Sequence, residues 1–225
     1  MAVDTMLFKA IIFDLDGTLL DTLEDLSNAA NRVLERHGFP THDTGDYRYM
    51  VGDGAVVLMR RALPEDRRDD VTVLDCVRAF REEYERGWKI KTRSYDGVTE
   101  MLDVLAAHGM KMAVLSNKPD DFTKRCVSEY FPQQTFDLVL GQCDTAPLKP
   151  DPSGAMEISR FLNIPPSQFL YLGDTSIDMK TAVAAGMFPV GALWGFRSGK
   201  ELLENGARLL IKRPTELLPL LDIAG

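Results

Sequence analysis

Ala10-Ile11-Ile12-Phe13 leads directly into Asp14-Leu15-Asp16-Gly17-Thr18, and this junction decides how the chain folds. The four apolar residues read as a short buried strand. Two carboxylates follow at its carboxyl end, two residues apart, so extended geometry points both the same way. Two anions ~4 Å apart repel by about 4 kcal/mol at an effective dielectric of ~20. A divalent cation is the counter-charge this pattern calls for. Gly17 permits a sharp turn, and Thr18 adds a hydroxyl. One carboxylate to attack, one to move a proton and a cation to neutralise a phosphate together make a phosphoryl-transfer site.

Working outward, strand-like runs recur at Lys111–Leu115, Phe136–Leu140, Phe169–Leu172 and Pro189–Leu193. Helical patterns fall between them, at Gly97–Ala107, Asp121–Tyr130, Pro152–Leu162 and Ile177–Ala185. Such alternation predicts an α/β fold: a Rossmann-like three-layer core, its central parallel sheet covered by helices on both faces. Ligands of such sheets bind outside the carboxyl ends of the strands. One interval breaks the rhythm. Leu23, Leu26, Ala30, Val33 and Leu34 share one helical face, and Asp21 with Glu24, or Thr22 with Asp25, resembles a capping box at its start. Ala55–Leu63 reads as a second helix, and Val73, Leu74, Val77, Phe80, Tyr84 and Trp88 fit a third. The interval reads as an all-helical cap domain, residues 20–92, inserted into a core of residues 1–19 and 93–225. Hinges are expected near Leu19-Leu20 and Lys91–Ser94.

A formal charge of −8 argues against a nucleic-acid or anionic-membrane partner. It also means that an anionic substrate needs local positive charge. The cysteines, Cys76, Cys126 and Cys143, are odd in number and form no CxxC, which fits a reducing compartment without disulfides or zinc. Residues 1–8 lack the basic start and apolar stretch of a signal peptide, and no run approaches the ~18 apolar residues of a membrane span. A cytoplasmic protein, monomer or homodimer, is expected.

Three more strand ends carry polar groups. Ser116-Asn117 offers hydrogen-bond donors to a phosphate. In Lys149-Pro150-Asp151-Pro152, two prolines stiffen the loop and fix where Lys149 points, and a fixed ammonium suits both a carboxylate and a phosphate. Gly173-Asp174-Thr175-Ser176-Ile177-Asp178 places Asp174 where a strand meets its loop and Asp178 in the first turn of the next helix. Magnesium takes oxygen ligands, with one or two carboxylates and several waters. Asp14, Asp174 and the main-chain carbonyl of Asp16 satisfy that need, with Asp178 a ligand through water or a neighbour of the ligands.

These four elements, in this order and around a helical insert, resemble the haloacid dehalogenase superfamily of phosphohydrolases. Val51-Gly52-Asp53-Gly54 with Arg60-Arg61-Ala62-Leu63, and Trp194-Gly195-Phe196-Arg197, are similar to its phosphoglycolate phosphatase subgroup. Tyr95-Asp96-Gly97 departs from the pattern, where relatives usually carry a proline before the glycine. The resemblance implies a Mg²⁺-dependent enzyme in which Asp14 is the nucleophile, forming an aspartyl-phosphate. Asp16 then serves as acid and base, while Thr18, Ser116, Asn117 and Lys149 hold the phosphoryl group. Phosphonatases of the superfamily need a cap lysine, yet no lysine stands between Lys9 and Lys89. Cap recognition is therefore expected from the backbone around Gly52 and Gly54 and from the planar forks of Arg60 or Arg61. A small phosphate ester with a second anion, such as 2-phosphoglycolate, fits that equipment. Sugar or nucleotide phosphatases, a pyrophosphatase and a β-phosphoglucomutase-like enzyme are the alternatives. A phospho-accepting receiver domain resembles a shorter chain without the insert.

Overall fold

Strand β1 (Ala10–Phe13) is the axis of the fold, and all four of its residues are fully buried. Alternate side chains enter two different cores. Ile11 and Phe13 pack on one face of the sheet, and Ala10 and Ile12 on the other. Two-sided burial is why the run is continuously apolar rather than alternating. The computed structural model describes residues 8–143 and 146–221.

After β1 come β2 (Leu20–Asp21), α1 (Leu23–Arg36), α2 (Ala55–Ala62), α3 (Asp70–Gly87) and β3 (Arg93–Ser94). The α/β alternation then runs through α4 (Val98–Ala107), β4 (Lys111–Pro119), α5 (Asp120–Tyr130), β5 (Leu138–Gln142) and α6 (Ser153–Leu162). It ends with β6 (Phe169–Gly173), α7 (Ser176–Ala184), β7 (Phe188–Ala192), α8 (Gly199–Glu204) and β8 (Leu209–Ile211). The six-stranded sheet has the order β5-β4-β1-β6-β7-β8, and every pairing is parallel. Val98, Met101, Leu102 and Leu105 of α4 and Phe122 of α5 cover the Phe13 face. Ala155 and Ile158 of α6 and Ala182 of α7 cover the Ile12 face. The central parallel sheet between two helical layers is thus present.

From β1 the chain moves toward β4 and β5, whereas from β6 it moves the other way, to β7 and β8. The adjacent β1 and β6 therefore send their connections in opposite directions. That divergence opens a crevice at their carboxyl ends, where Asp14 and Asp174 lie. No described helix is long and apolar enough to cross a membrane.

The three helices between β2 and β3 pack on one another, and no strand interrupts them. At the expected hinges, Leu20 pairs with Ser94 and Asp21 with Arg93 in a short antiparallel ladder. The capping-box reading is corrected. Thr22 makes no side-chain cap hydrogen bond. The Asp25 carboxylate instead accepts from the Lys91 and Thr92 amides and the Thr92 hydroxyl, at 2.8–3.1 Å. A partner far along the chain outcompetes the local one, and Asp25 pins the outgoing helix to the returning strand.

Candidate active site

Asp14 leaves β1 buried, its amide donating to the Leu172 carbonyl at 2.9 Å. Lys149 reaches it from the loop before α6. The Lys149 ammonium donates to Asp14 Oδ1 at 2.7 Å, to Asp178 Oδ1 at 2.7 Å and to the Leu115 carbonyl at 3.0 Å. All three ammonium hydrogens are thereby directed. Asp178 has a second task. Its Oδ2 accepts from the Thr175 amide and hydroxyl, closing a capping box at the start of α7. Asp174 is equally fixed: Oδ1 accepts from the Thr18 hydroxyl at 2.9 Å, and Oδ2 from the Phe196 amide at 2.7 Å.

One carboxylate oxygen from each of Asp14, Asp174 and Asp178 lies within 4.8 Å of the others. Crowding these buried acids has an electrostatic consequence. Burial, and then the charge of Asp178, push Asp14 well above the usual carboxylate range, although Lys149 opposes them. The same two causes raise Asp174 to about 7 against the hydrogen bonds from Phe196 and Thr18. Burial disfavours the Lys149 ammonium, but Asp14 and Asp178 outweigh it and hold Lys149 above its ordinary range.

Asp16 faces elsewhere. Both of its oxygens accept from the Lys118 ammonium at 3.0 Å, and the same ammonium donates to the Tyr84 hydroxyl at 2.9 Å. Lys118 also lies 4.6 Å from the centre of the Tyr84 ring. The sequence predicts one cation between Asp14 and Asp16. The structure gives each acid its own lysine. Lys118 has no assigned role in the sequence reading, although its place directly after Ser116-Asn117 at a strand end was the available signal.

With all four carboxylates (Asp14, Asp16, Asp174 and Asp178) ionised, the two ammonium groups would leave two negative charges uncompensated. A divalent cation balances them, and the donors are all hard carboxylate oxygens, the set that magnesium-type ions take. The trio therefore fits a metal. Gly17 and Gly195 make room for the Asp174 side chain. A Cβ on Gly195 would stand 2.3 Å from Asp174 Cβ and 2.4 Å from the Gly17 carbonyl oxygen. Gly195→Ala is accordingly expected to displace Asp174 and raise the metal concentration needed for half-maximal activity about tenfold. A metal titration of activity checks this, and an unchanged midpoint contradicts it.

Asp14, Asp16, Ser116, Asn117, Gly52 and Gly54 all line one cleft between the sheet and the helical segment. Ser116 Oγ accepts from the Lys118 amide at 3.2 Å, which leaves its own hydrogen to donate. Asn117 exchanges hydrogen bonds with the Lys149 main chain and donates to the Gly52 carbonyl at 3.1 Å. It holds the lysine loop and touches the turn that starts α2. Gly52 and Gly54 both need positive φ, 110° and 86°. Other expected residues are placed differently. The Thr18 hydroxyl is fully buried and directed to Asp174, so it orients that acid. Arg60 pairs with Asp70 at 2.8 Å, and Arg61 with Asp53 at 2.6 Å. Neither lines the cleft. Carboxylates nearby in sequence capture both forks before they reach it. Arg197 donates to the Val51 carbonyl at 3.2 Å and so braces the turn.

The sequence profile of the haloacid dehalogenase-like hydrolases matches residues 11–192. Phosphoglycolate phosphatase of Pseudomonas syringae pv. tomato is 35% identical over 220 residues, covering 94% of this chain and 79% of that protein. Phosphoglycolate phosphatase 1 of Pseudomonas aeruginosa is 32% identical over 226 residues, covering 98% and 82%. The crystal structure of a predicted phosphoglycolate phosphatase from Haemophilus somnus superposes with a TM-score of 0.87 at 26% identity, covering 95% and 97%. A profile match that spans all four strand-end motifs, on a fold whose crevice gathers them, leaves one assignment: the chain belongs to the haloacid dehalogenase-like hydrolase family.

Proposed function

We propose that this hydrolase removes phosphate from a small phosphate monoester, 2-phosphoglycolate first among them, through an aspartyl-phosphate on Asp14 and with Mg²⁺ as its metal. The observation that carries the reading is the convergence of Asp14, Asp174 and Asp178 on one point beneath a cleft that Asp16 and Ser116 also line. The names of the relatives support the substrate.

In this reading Asp14 attacks phosphorus with the carboxylate oxygen that faces the cleft, while Lys149 keeps its other oxygen oriented. Lys149 also sets charge against the phosphoryl oxygens, and Ser116 donates a hydrogen bond to them, while Asn117, its side-chain amide engaged by Gly52 and Lys149, holds the lysine loop in place. Asp16 gives its proton to the departing oxygen and takes one from water in the second half-reaction. Asp14, the Asp16 carbonyl and Asp174 would hold Mg²⁺, which would neutralise the phosphate charge, while Asp178 fixes Lys149. Residues 20–92 act as a cap over a core of residues 1–19 and 93–225. The α2 amides around Gly52 and Gly54 close over the substrate's far end.

A panel of phosphate esters ranked by kcat/KM tests this reading. 2-Phosphoglycolate is expected to lead, with activity lost in excess chelator and restored by Mg²⁺. Undiminished turnover in chelator contradicts the metal. A flat ranking contradicts the substrate.

A further inference from the structure

We propose that Arg81 on α3 recognises the second anionic group of the substrate, the carboxylate in the case of 2-phosphoglycolate. This rests on the phosphatase reading above and names the residue that sets its selectivity.

Few charges reach the cleft. Its charged lining residues are Asp14, Asp16, Lys118 and Arg81. Lys118 is already engaged, its ammonium donating to Asp16 and to the Tyr84 hydroxyl. Among the described residues, no carboxylate lies within ion-pair distance of Arg81, whereas Arg60, Arg61 and Arg197 each have an acidic partner. A protein of net charge −8 thus keeps one uncompensated guanidinium in the same cleft as its nucleophile. Geometry agrees. Arg81 follows Phe80 and precedes Tyr84 by three positions on α3. These side chains form the cleft wall, with Leu26, Leu58 and Phe122. That wall is otherwise apolar. The hydroxyl of Tyr84 is engaged by Lys118, so a substrate group that bears charge finds its partner there only in Arg81. A guanidinium offers a carboxylate two parallel N–H donors. An alkyl tail gains nothing from them. Arg81 is exposed to solvent and also lines the cleft, so an incoming anion can reach it.

The test uses two esters that differ only in the charged group, 2-phosphoglycolate and ethyl phosphate, with the full-length Mg²⁺-loaded enzyme. Arg81→Ala is expected to lower kcat/KM for 2-phosphoglycolate at least about tenfold more than for ethyl phosphate, mainly through KM. Arg81→Lys is expected to recover part of that selectivity, since a point charge replaces the fork. Equal losses on both esters, or no loss on either, overturn the assignment of Arg81 while leaving the phosphatase reading intact. A wild-type enzyme that hydrolyses neither ester overturns both.

Discussion

Asp14→Asn is expected to yield a folded protein whose phosphate release falls on the order of 10⁴-fold or more. The amide cannot form the acyl phosphate, and no neighbour can take over. Asp178 is tied to Lys149 and the α7 cap, and Asp174 to Thr18 and Phe196. The fold does not depend on the lost charge. The residue's main-chain bond to Leu172 persists, and an amide oxygen still accepts from Lys149. In the metal-free protein the ionised Asp14 is a burden, because burial and Asp178 hold its folded-state value above the unfolded one. A raised carboxylate costs stability at pH values above its unfolded value. The melting temperature of Asp14→Asn should therefore equal or exceed that of metal-free wild type. Circular dichroism and phosphate release, measured on one preparation, check both halves. Substantial residual turnover in a folded variant would remove Asp14 as nucleophile.

Lys149→Met is expected to cost both activity and stability, which separates it from Asp14→Asn. The ammonium is buried, and so are both of its carboxylate partners, Asp14 and Asp178. Removing one member of a buried ion pair typically costs 3–5 kcal/mol. For a chain of this size that lowers Tm by roughly 6–20 °C in metal-free protein. Mg²⁺ should return part of the Tm, since it compensates the orphaned acids. It should not return turnover, since Asp14 loses its orientation and the phosphoryl group its lysine. A calorimetric scan with and without Mg²⁺, beside kcat, resolves the two effects. A variant as stable as wild type in the absence of metal would contradict the ion-pair account.

The core of the fold is legible in sequence because β1, β6 and their neighbours are buried on both faces. Ile11-Ile12-Phe13 and Leu170-Tyr171-Leu172 can then be read without knowing which side faces out. The site is legible for a related reason. A parallel sheet delivers strand-end residues to one edge, so Asp14, Ser116, Lys149 and Asp174 need no long-range information to be grouped. What escapes the reading depends on partners distant in the chain. β8 (Leu209–Ile211) has three residues, two of them only half-buried, and takes its identity from pairing with β7. The β2–β3 ladder is two residues long and exists only because the chain returns beside itself. Phe136 reads as strand because it is apolar. It packs on Phe13 and Phe131 just ahead of β5, and the strand begins at Leu138.

Among individual side chains the same distinction holds. Asp25, Lys118 and Arg81 each look locally ordinary: a helix-start acid, a turn lysine, a helix-surface arginine. Asp25 meets Thr92 and Lys118 meets Asp16 across 67 and 102 residues of chain. Arg60 and Arg61 look better placed than Arg81 because they follow the Gly52–Gly54 turn. Asp70 and Asp53 engage them first.

If these acids from distant segments act as one centre with Asp14 carrying the phosphoryl group, covalent phosphate must be trappable on Asp14. The direct test is to quench the Mg²⁺-loaded enzyme in acid during turnover of 2-phosphoglycolate and locate covalent phosphate by peptide mass spectrometry. The account predicts phosphate on the peptide containing Asp14, and none in Asp14→Asn. Active wild-type enzyme that yields no phosphorylated peptide, or carries the label on another residue, would contradict it.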